Sequence, residues 1–469
     1  MGRHGWDSGA RRWRLTALLG VSAAVVALVV TLVSTLPGGG AGTEGTSPDG
    51  DKVHGTPATP PQRSAPDVGW GFTHTQFSAD EGSERAVARV EERLEGARLP
   101  QNQHIMGWGA DNPEPVKGRY DFAALDLRVD FMRASGATPV ITLCCAPDWM
   151  KGGEAGAGST DWSQAALETA PEPEHYADFA ALAATVARRY PDVRHFIVWN
   201  EFKGFWNDAE HRWDHEGYTE MYNLVHKALK AVDEDIMVGG PYLVMDSLDP
   251  RQEHASTALR GPWGAMDQRV LDAFDHWNRH KAGADFVVVD GSSYTRDDEL
   301  LPDEFAATDK FTAVGRWVRE RTGGELPLWW AEYYVEPADG DDHRHGWSEA
   351  RRTAVQAAGM IAMVEGGASS GFYWNPEAER GPECPGCLWT PTDTADGGGA
   401  LPMYDLVSRF AAAFPPGTRY DDLTADPRVR VLATDRTVLV VNTRDRALST
   451  KVDGRTVDLQ AYDVQWLTR

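Results

Sequence analysis

Val193-Arg194-His195-Phe196-Ile197-Val198-Trp199-Asn200-Glu201 is a short apolar run closed by a carboxamide and a carboxylate, and it follows a helical stripe of Tyr176, Phe179, Ala183, Val186 and Tyr190. Spacings of three and four residues bury one face of a helix, whereas a continuous apolar run suits a strand covered on both sides. The same pair of patterns repeats in both directions from here. Strands are predicted at Val68–Phe72, His104–Trp108, Pro139–Leu143, Val193–Trp199, Ile236–Gly239, Phe286–Val289, Leu326–Ala331 and Ser370–Trp374. Helical stripes fall between them: Leu125, Val129 and Met132, with Asp121 as N-cap and Gly136 as breaker; Tyr218, Met221, Val225 and Leu229; Val270 to Trp277; Phe311 to Val318; and Val355 to Val364. A last helix is expected near Met403 to Ala413.

Eight strand-and-helix units predict an α/β fold that closes as a (β/α)8 TIM barrel. An open doubly wound sheet would call for a Gly-rich phosphate turn after its first strand, and none is visible. Pro415-Pro416-Gly417 ends the barrel. Short β-rich segments follow at Val429–Leu432, Val438–Val441, Ser449–Val452 and Val457–Leu467. They predict a small antiparallel sheet that must lean on the side of the barrel, because about 50 residues bury too little core alone.

The N-terminal region has a different character. Arg3, Arg11, Arg12 and Arg14 precede an uncharged stretch from Leu15 to Leu36. At about 1.5 Å per residue this stretch spans a ~30 Å hydrocarbon core, and the basic flank keeps that end in the cytoplasm. A cleavable signal peptide is the rival reading, with Ser34-Thr35-Leu36-Pro37 as a poor cleavage site. The expected plan is therefore a basic segment at 1–14, a transmembrane signal-anchor at 15–36, a flexible Gly/Pro/Thr linker at 37–66, the barrel at 67–414 and the β domain at 415–469. The folded part lies outside the membrane, as a membrane-tethered or, if cleaved, secreted domain.

A formal charge of −24 over 469 residues excludes nucleic acid and anionic lipid surfaces as partners of that domain. Oligomeric state is left open. The 18 tryptophans supply flat apolar faces of the kind that stack on sugar rings, although core packing accounts for many of them. Glu201 and Glu332 both close apolar strands, at Val198-Trp199-Asn200-Glu201 and Trp329-Trp330-Ala331-Glu332. Barrel enzymes build their sites at the C-terminal ends of the strands, and strands four and seven face one another across the mouth. Two carboxylates there suggest cleavage of a glycosidic bond.

These residues resemble the retaining glycoside hydrolases of the large barrel clan, which carry Asn-Glu at the end of strand four and Glu at the end of strand seven. Family 39, the β-xylosidase and iduronidase group, is the closest resemblance, supported by Gly118-x-Tyr120-x-Phe122, Pro147-x-Trp149-Met150 and the added β domain. The resemblance implies Glu201 as general acid and then base, its proton held by the negative charge of its partner, and Glu332 as nucleophile. Asn200 would bond the sugar 2-hydroxyl. It further implies Tyr294 as the phenol that orients the nucleophile and Trp374 as the aromatic floor under the sugar; Trp149 and Trp108 are lesser stacking candidates. The combination of anchor, barrel and β domain resembles exopolysaccharide-processing members of the family. The expected partner is thus a carbohydrate, and no cofactor or metal is called for.

The chain departs from the clan at two places. Asn200-Glu201-Phe202-Lys203-Gly204-Phe205-Trp206 replaces the usual Asn-Glu-Pro, and Asp290-Gly291-Ser292-Ser293-Tyr294 replaces a His-x-Tyr pattern. Xylosidase specificity is therefore not transferred. A catalytically silent carbohydrate-binding protein and a transglycosidase using the same two glutamates stand as alternatives. Cys144, Cys145, Cys384 and Cys387 allow three disulfide pairings, a Cys384–Cys387 bridge being favoured over zinc. Asp339, Asp341, Asp342, His343 and His345 read as a solvated loop, and Glu336 is a decoy for the nucleophile.

Overall fold

The computed structural model describes residues 66–79, 82–294, 302–335, 346–374, 376–377, 384–423 and 425–469. The basic segment, the predicted span at 15–36 and the tether up to 65 lie outside the described residues, as do Glu336 and the Asp339–His345 cluster. Among the described residues no helix is long and apolar enough to cross a membrane.

Eight parallel strands close into a barrel: β1 (Trp70–Thr73), β2 (Gln101–His104), β3 (Pro139–Leu143), β4 (His195–Val198), β5 (Met237–Val244), β6 (Phe286–Ser292), β7 (Leu328–Tyr334) and β8 (Ala368–Tyr373). Each pairs with its neighbours in sequence, and β8 returns to β1 with Trp70 opposite Gly371. Eight helices form the outer layer: α1 (Glu84–Ala97), α2 (Ala123–Ala134), α3 (Tyr176–Arg189), α4 (His215–Val232), α5 (Gln268–His280), α6 (Asp309–Arg321), α7 (Glu349–Glu365) and α8 (Pro402–Ala413). The predicted stripes are the buried faces, for example Leu125, Val129 and Met132 on α2 and Tyr218, Met221, Val225 and Leu229 on α4. Asp121 accepts from the amide of Ala123 in the first turn of α2, satisfying a donor that the helix itself cannot.

Two apolar layers result. A large one lies between strands and helices. A smaller one fills the barrel, where Val140, Ile197, Phe286, Val288, Trp329, Ala331 and Phe372 meet, as the inward set of alternating strand residues must.

The second strand differs from its prediction. It is not the apolar His104–Trp108 but the polar Gln101–His104, all four residues fully buried. Gln101 and Asn102 are satisfied by neighbours, while Gln103 Oε1 and His104 Nδ1 find no partner among the described residues. Thr73 Oγ1 donates to the carbonyl of Ala331, Asn102 Nδ2 donates to Thr73 Oγ1, and Thr142 Oγ1 donates to Asn102 Oδ1. Gln101 Nε2 donates to Ser135 Oγ on the other side of the strand. Burial without penalty requires such pairing, and the partners come from three other strands and a helix end, so no local pattern announces it.

The C-terminal strands are β9 (Val429–Ala433), β10 (Thr437–Asn442), β11 (Leu448–Val452), β12 (Arg455–Leu459) and β13 (Val464–Thr468). β9, β10 and β13 form an antiparallel sheet, and β11 and β12 a hairpin. The predicted run Val457–Leu467 is two strands, split near Tyr462, whose φ is 55°. Val429, Val438, Val440, Val452, Val457 and Leu459 make the core of this unit. Leu432, Leu439 and Val441 join the barrel's outer core instead, and Phe414 meets Trp466 at 5.8 Å between ring centroids. The sheet therefore has an apolar face on each side and leans on the barrel, as its size requires.

Candidate active site

The loop after β4 sets the first carboxylate. Trp199, Glu201 and Phe202 all have positive φ, of 68°, 55° and 55°, a region that costs side-chain-bearing residues energy and persists only when surroundings enforce it. The enforcement is visible. The amide of Trp199 donates to the carbonyl of Leu143, its indole Nε1 donates to the carbonyl of Lys203, and the hydroxyl of Tyr218 on α4 donates to the carbonyl of Val198. Phe202 is fully buried, with its ring 3.9 Å from that of Tyr218 and 6.0 Å from that of Phe205. A proline could not replace Phe202 in this conformation, because its ring locks φ near −65°. The departure from Asn-Glu-Pro is thus a different loop geometry, anchored in aromatic packing.

That geometry carries Lys203 into the site. Its ammonium lies 3.1 Å from Glu201 Oε2 and 3.3 Å from Glu168 Oε1. Burial works against its charge, yet Glu201, Glu168 and Glu332 together hold the ammonium above its ordinary range.

Two irregularities place the groups opposite. Along β7, Val289 of β6 pairs with Trp330 but Asp290 pairs with Glu332, leaving Ala331 as an extra residue. Along β5, Val288 pairs with Pro241 and Val289 with Leu243, leaving Tyr242 extra. Strict alternation after the inward Ala331 would turn Glu332 outward; the bulge resets the phase and brings it beside Asp290. The second bulge, with φ of 55° at Tyr242, leaves that phenol inside the barrel, where its hydroxyl donates to Glu332 Oε2 at 3.3 Å.

Glu201, Asp290 and Glu332 each bring a carboxylate oxygen within 4.8 Å of the others. Glu332 and Asp290 are 4% and 2% exposed. Burial, then the charge of Glu201, pushes the Glu332 carboxyl well above the usual carboxylate range, with Lys203 and the Tyr242 hydrogen bond opposing. Burial, then the neighbouring Glu332, Glu201 and Asp246, pushes Asp290 in the same direction.

The aromatic wall is beside this cluster. His104 packs against Trp108 with centroids 4.5 Å apart and the rings tilted by 35°, and Trp374 meets Trp108 edge-on at 6.4 Å and His104 at 6.5 Å. The Lys203 ammonium lies 5.9 Å from the Trp108 ring. His104 Nε2 sits 3.5 Å from Asn200 Oδ1, at the outer edge of hydrogen-bonding distance. Burial lowers the His104 pKa to about 3, against the Asn200 contact and with the help of Lys203, so the imidazole is neutral.

The structure therefore brings together Glu201, Glu332, Asn200, Trp108 and Trp374. Trp149 is fixed elsewhere, donating to the carbonyl of Glu114 and packing on His175 and Lys117. The phenol on Glu332 is Tyr242 of β5, where the sequence pointed to Tyr294; the carbonyl of Tyr294 accepts from Ser247 and Ser292 beyond β6. Strand five, predicted over Ile236–Gly239, runs on through Pro241 to Val244 and so carries Tyr242 into the barrel. Asp290 carries the same sequence signal as Glu332, a carboxylate at the end of an apolar run.

Two clusters among the described residues bring three potential metal ligands together: this triad, and His215, Glu216 and His276. The first already faces the ammonium of Lys203, and in the second Glu216 is bonded to Arg212. Disulfides join Cys144 to Cys145 and Cys384 to Cys387, so all four cysteines are paired.

The model of glycosyl hydrolases family 39 matches residues 106–338, the stretch that holds Asn200, Glu201, Asp290 and Glu332. The chain is a family-39-like (β/α)8 glycoside hydrolase. The glycosidase shares its fold with a monomeric β-xylosidase from Caulobacter crescentus, at 19% identity over 86% of this chain and 77% of that one, with a TM-score of 0.51. SrfJ from Salmonella typhimurium is similar at 13% identity over 86% of this chain and 90% of that one, with a TM-score of 0.57. At these identities the likeness is one of fold. No curated protein matches the glycosidase.

Proposed function

We propose that the glycosidase cleaves its substrate by double displacement with retention of anomeric configuration. Glu332 attacks the anomeric carbon and forms a glycosyl-enzyme ester while Glu201 gives its proton to the departing glycosidic oxygen. Glu201 then removes a proton from water, which attacks the same carbon and releases Glu332. The observation that carries this reading is the approach of the Glu201 and Glu332 oxygens to within 4.8 Å. Retaining enzymes hold their carboxyls about 5–5.5 Å apart, whereas inversion needs about 6.5–9.5 Å to admit a water.

Four neighbours support the roles. Tyr242 donates to one Glu332 oxygen and leaves the acid in the orientation an attack requires. Asn200 projects from the same loop as Glu201, in reach of a 2-hydroxyl, where a hydrogen bond strengthens as positive charge develops on the sugar. Trp374 and Trp108 offer the apolar faces on which a ring would stack. Trp149, held by the Glu114 carbonyl, would contact only a more distant sugar unit.

The substrate we infer is an extracellular or cell-surface polysaccharide or oligosaccharide, reached by a catalytic domain that residues 15–36 anchor to the membrane and residues 37–66 hold at a distance. Digestion of a glycan panel, with product sizing and proton NMR of the first-formed anomer, tests the reaction. Retention is expected; a first product of inverted configuration would overturn double displacement. Fractionation of cells expressing the full chain tests the anchor, which predicts catalytic domain in the membrane pellet that a protease outside the cell can reach.

A further inference from the structure

Asp290 is a third carboxyl in a site whose reaction uses two. It lies opposite Glu332 in the β6–β7 register, a carboxylate oxygen from each within 4.8 Å of the other and of Glu201. It is 2% exposed, and its buried Oδ1 finds no hydrogen-bond partner among the described residues. Glu332 has the hydroxyl of Tyr242, and Glu201 has the ammonium of Lys203. An ionised carboxylate that is buried and short of donors is the costliest state such a group can adopt.

Among the described residues, three elements supply the groups that face Asp290. Glu201 and Lys203 come from the loop after β4, Tyr242 and Asp246 from β5 and its exit, and Glu332 from β7. One ammonium stands among these carboxyls. With Glu201 carrying the proton it will donate and Asp290 carrying another, Glu332 is left as the anion of the triad, facing the ammonium of Lys203. With Asp290 ionised, a second anion would stand beside the one that must attack.

We propose that Asp290 is a catalytic residue that works as a neutral carboxylic acid, leaving Glu332 as the anion of the triad at the reacting carbon and offering an O–H donor toward the bound sugar. This rests on the roles given above to Glu201 and Glu332. The protonated state matters because a like charge so close would raise the proton affinity of Glu332 and remove the nucleophile. A carboxylic acid kept neutral by its surroundings is an established way of placing a donor in a buried site.

Infrared difference spectra of the full-length protein at neutral pH, wild type minus Asp290→Asn, test this without any substrate. A protonated-carboxyl carbonyl band that vanishes in Asp290→Asn and persists in Glu332→Gln is expected. Its absence, or its loss in Glu332→Gln instead, overturns the proposal. Kinetics on an aryl glycoside from the panel add a second arm. Asp290→Asn, which keeps a neutral donor, should lose less than about tenfold in kcat/KM and keep both limbs of its pH profile in place. Asp290→Leu, matched for melting temperature, should lose more than about tenfold. Movement of both limbs toward acid by about one pH unit in Asp290→Asn would mean that a negative charge had been removed, and the proposal would fall. A chain without glycosidase activity fails the double-displacement reading alone, since the infrared arm still reports where the proton resides.

Discussion

The ammonium of Lys203 lies 3.1 Å from a carboxylate oxygen of Glu201, two residues away along a loop bent by three left-handed residues. The cation also lowers the proton affinity of Glu332. Lys203→Met keeps the length of the side chain and removes the charge. The acidic limb of kcat/KM, which reports Glu332, should then move toward higher pH by about one unit. An unmoved limb would deny Lys203 its electrostatic role.

Glu332→Ala should reduce turnover to background on every active glycan. Glu201→Ala should separate substrates by leaving group. General acid catalysis contributes about a hundredfold to ten-thousandfold where a proton must be delivered, and little where the leaving group is an acidic phenol. Natural glycosides should therefore suffer far more than activated aryl glycosides; equal losses would remove Glu201 as the donor.

Tyr242→Phe deletes one hydroxyl and leaves the ring in the barrel. Loss of a donor to a charged acceptor costs about 1.5–3 kcal/mol, so kcat/KM should fall by roughly tenfold to a hundredfold. The acidic limb should rise as well, because that hydrogen bond favours the Glu332 carboxylate. Tyr294→Phe serves as the comparison, and a larger effect there would return the orienting role to the end of β6.

Phe202→Ala should destabilise the fold by about 3–5 kcal/mol, as expected for deletion of a fully buried aromatic ring. Phe202→Pro should be worse for activity than for stability, since it forbids the φ of 55° that delivers Glu201 and Lys203. Thermal melts and kcat on the same preparations distinguish the two.

Stability should respond to pH in two directions. The Glu332 carboxyl binds its proton more tightly when folded than when unfolded. The native state therefore holds a proton that the unfolded chain releases above about pH 4.5, and stability falls as pH rises. Glu332→Gln should melt higher than wild type near pH 7 and show no such advantage near pH 4. His104 acts with the opposite sign. Its folded pKa of about 3 lies below the unfolded value of 6.5, so stability is lost as pH falls below about 6.5. If Glu332→Gln melted lower than wild type at pH 7, burial of that carboxyl would not be costing stability.

What could be read along the chain was whatever depends on local period. The helical stripes on α2 to α7 and the apolar runs of β3, β4, β6, β7 and β8 match the elements of the fold, whereas Glu201 lies in the loop past β4 and Glu332 inside β7, which runs on to Tyr334. A stripe or a run reports burial directly, because burial is what selects apolar residues at those spacings. β2 escapes for the same reason in reverse: Gln101 and Asn102 are polar residues made burial-compatible by partners remote in sequence.

By itself, then, the sequence determined a barrel with a carboxylate at the ends of two strands and a small β unit at its side. The tertiary structure alone decided that Glu332 faces the mouth, because the bulge at Ala331 exists only in the pairing of β6 with β7. It alone chose Tyr242 over Tyr294, through the bulge on β5, and it alone set Lys203 and Asp290 beside the pair. Register and loop closure are agreements between strands distant along the chain, and a one-residue change in either turns a side chain to the other face.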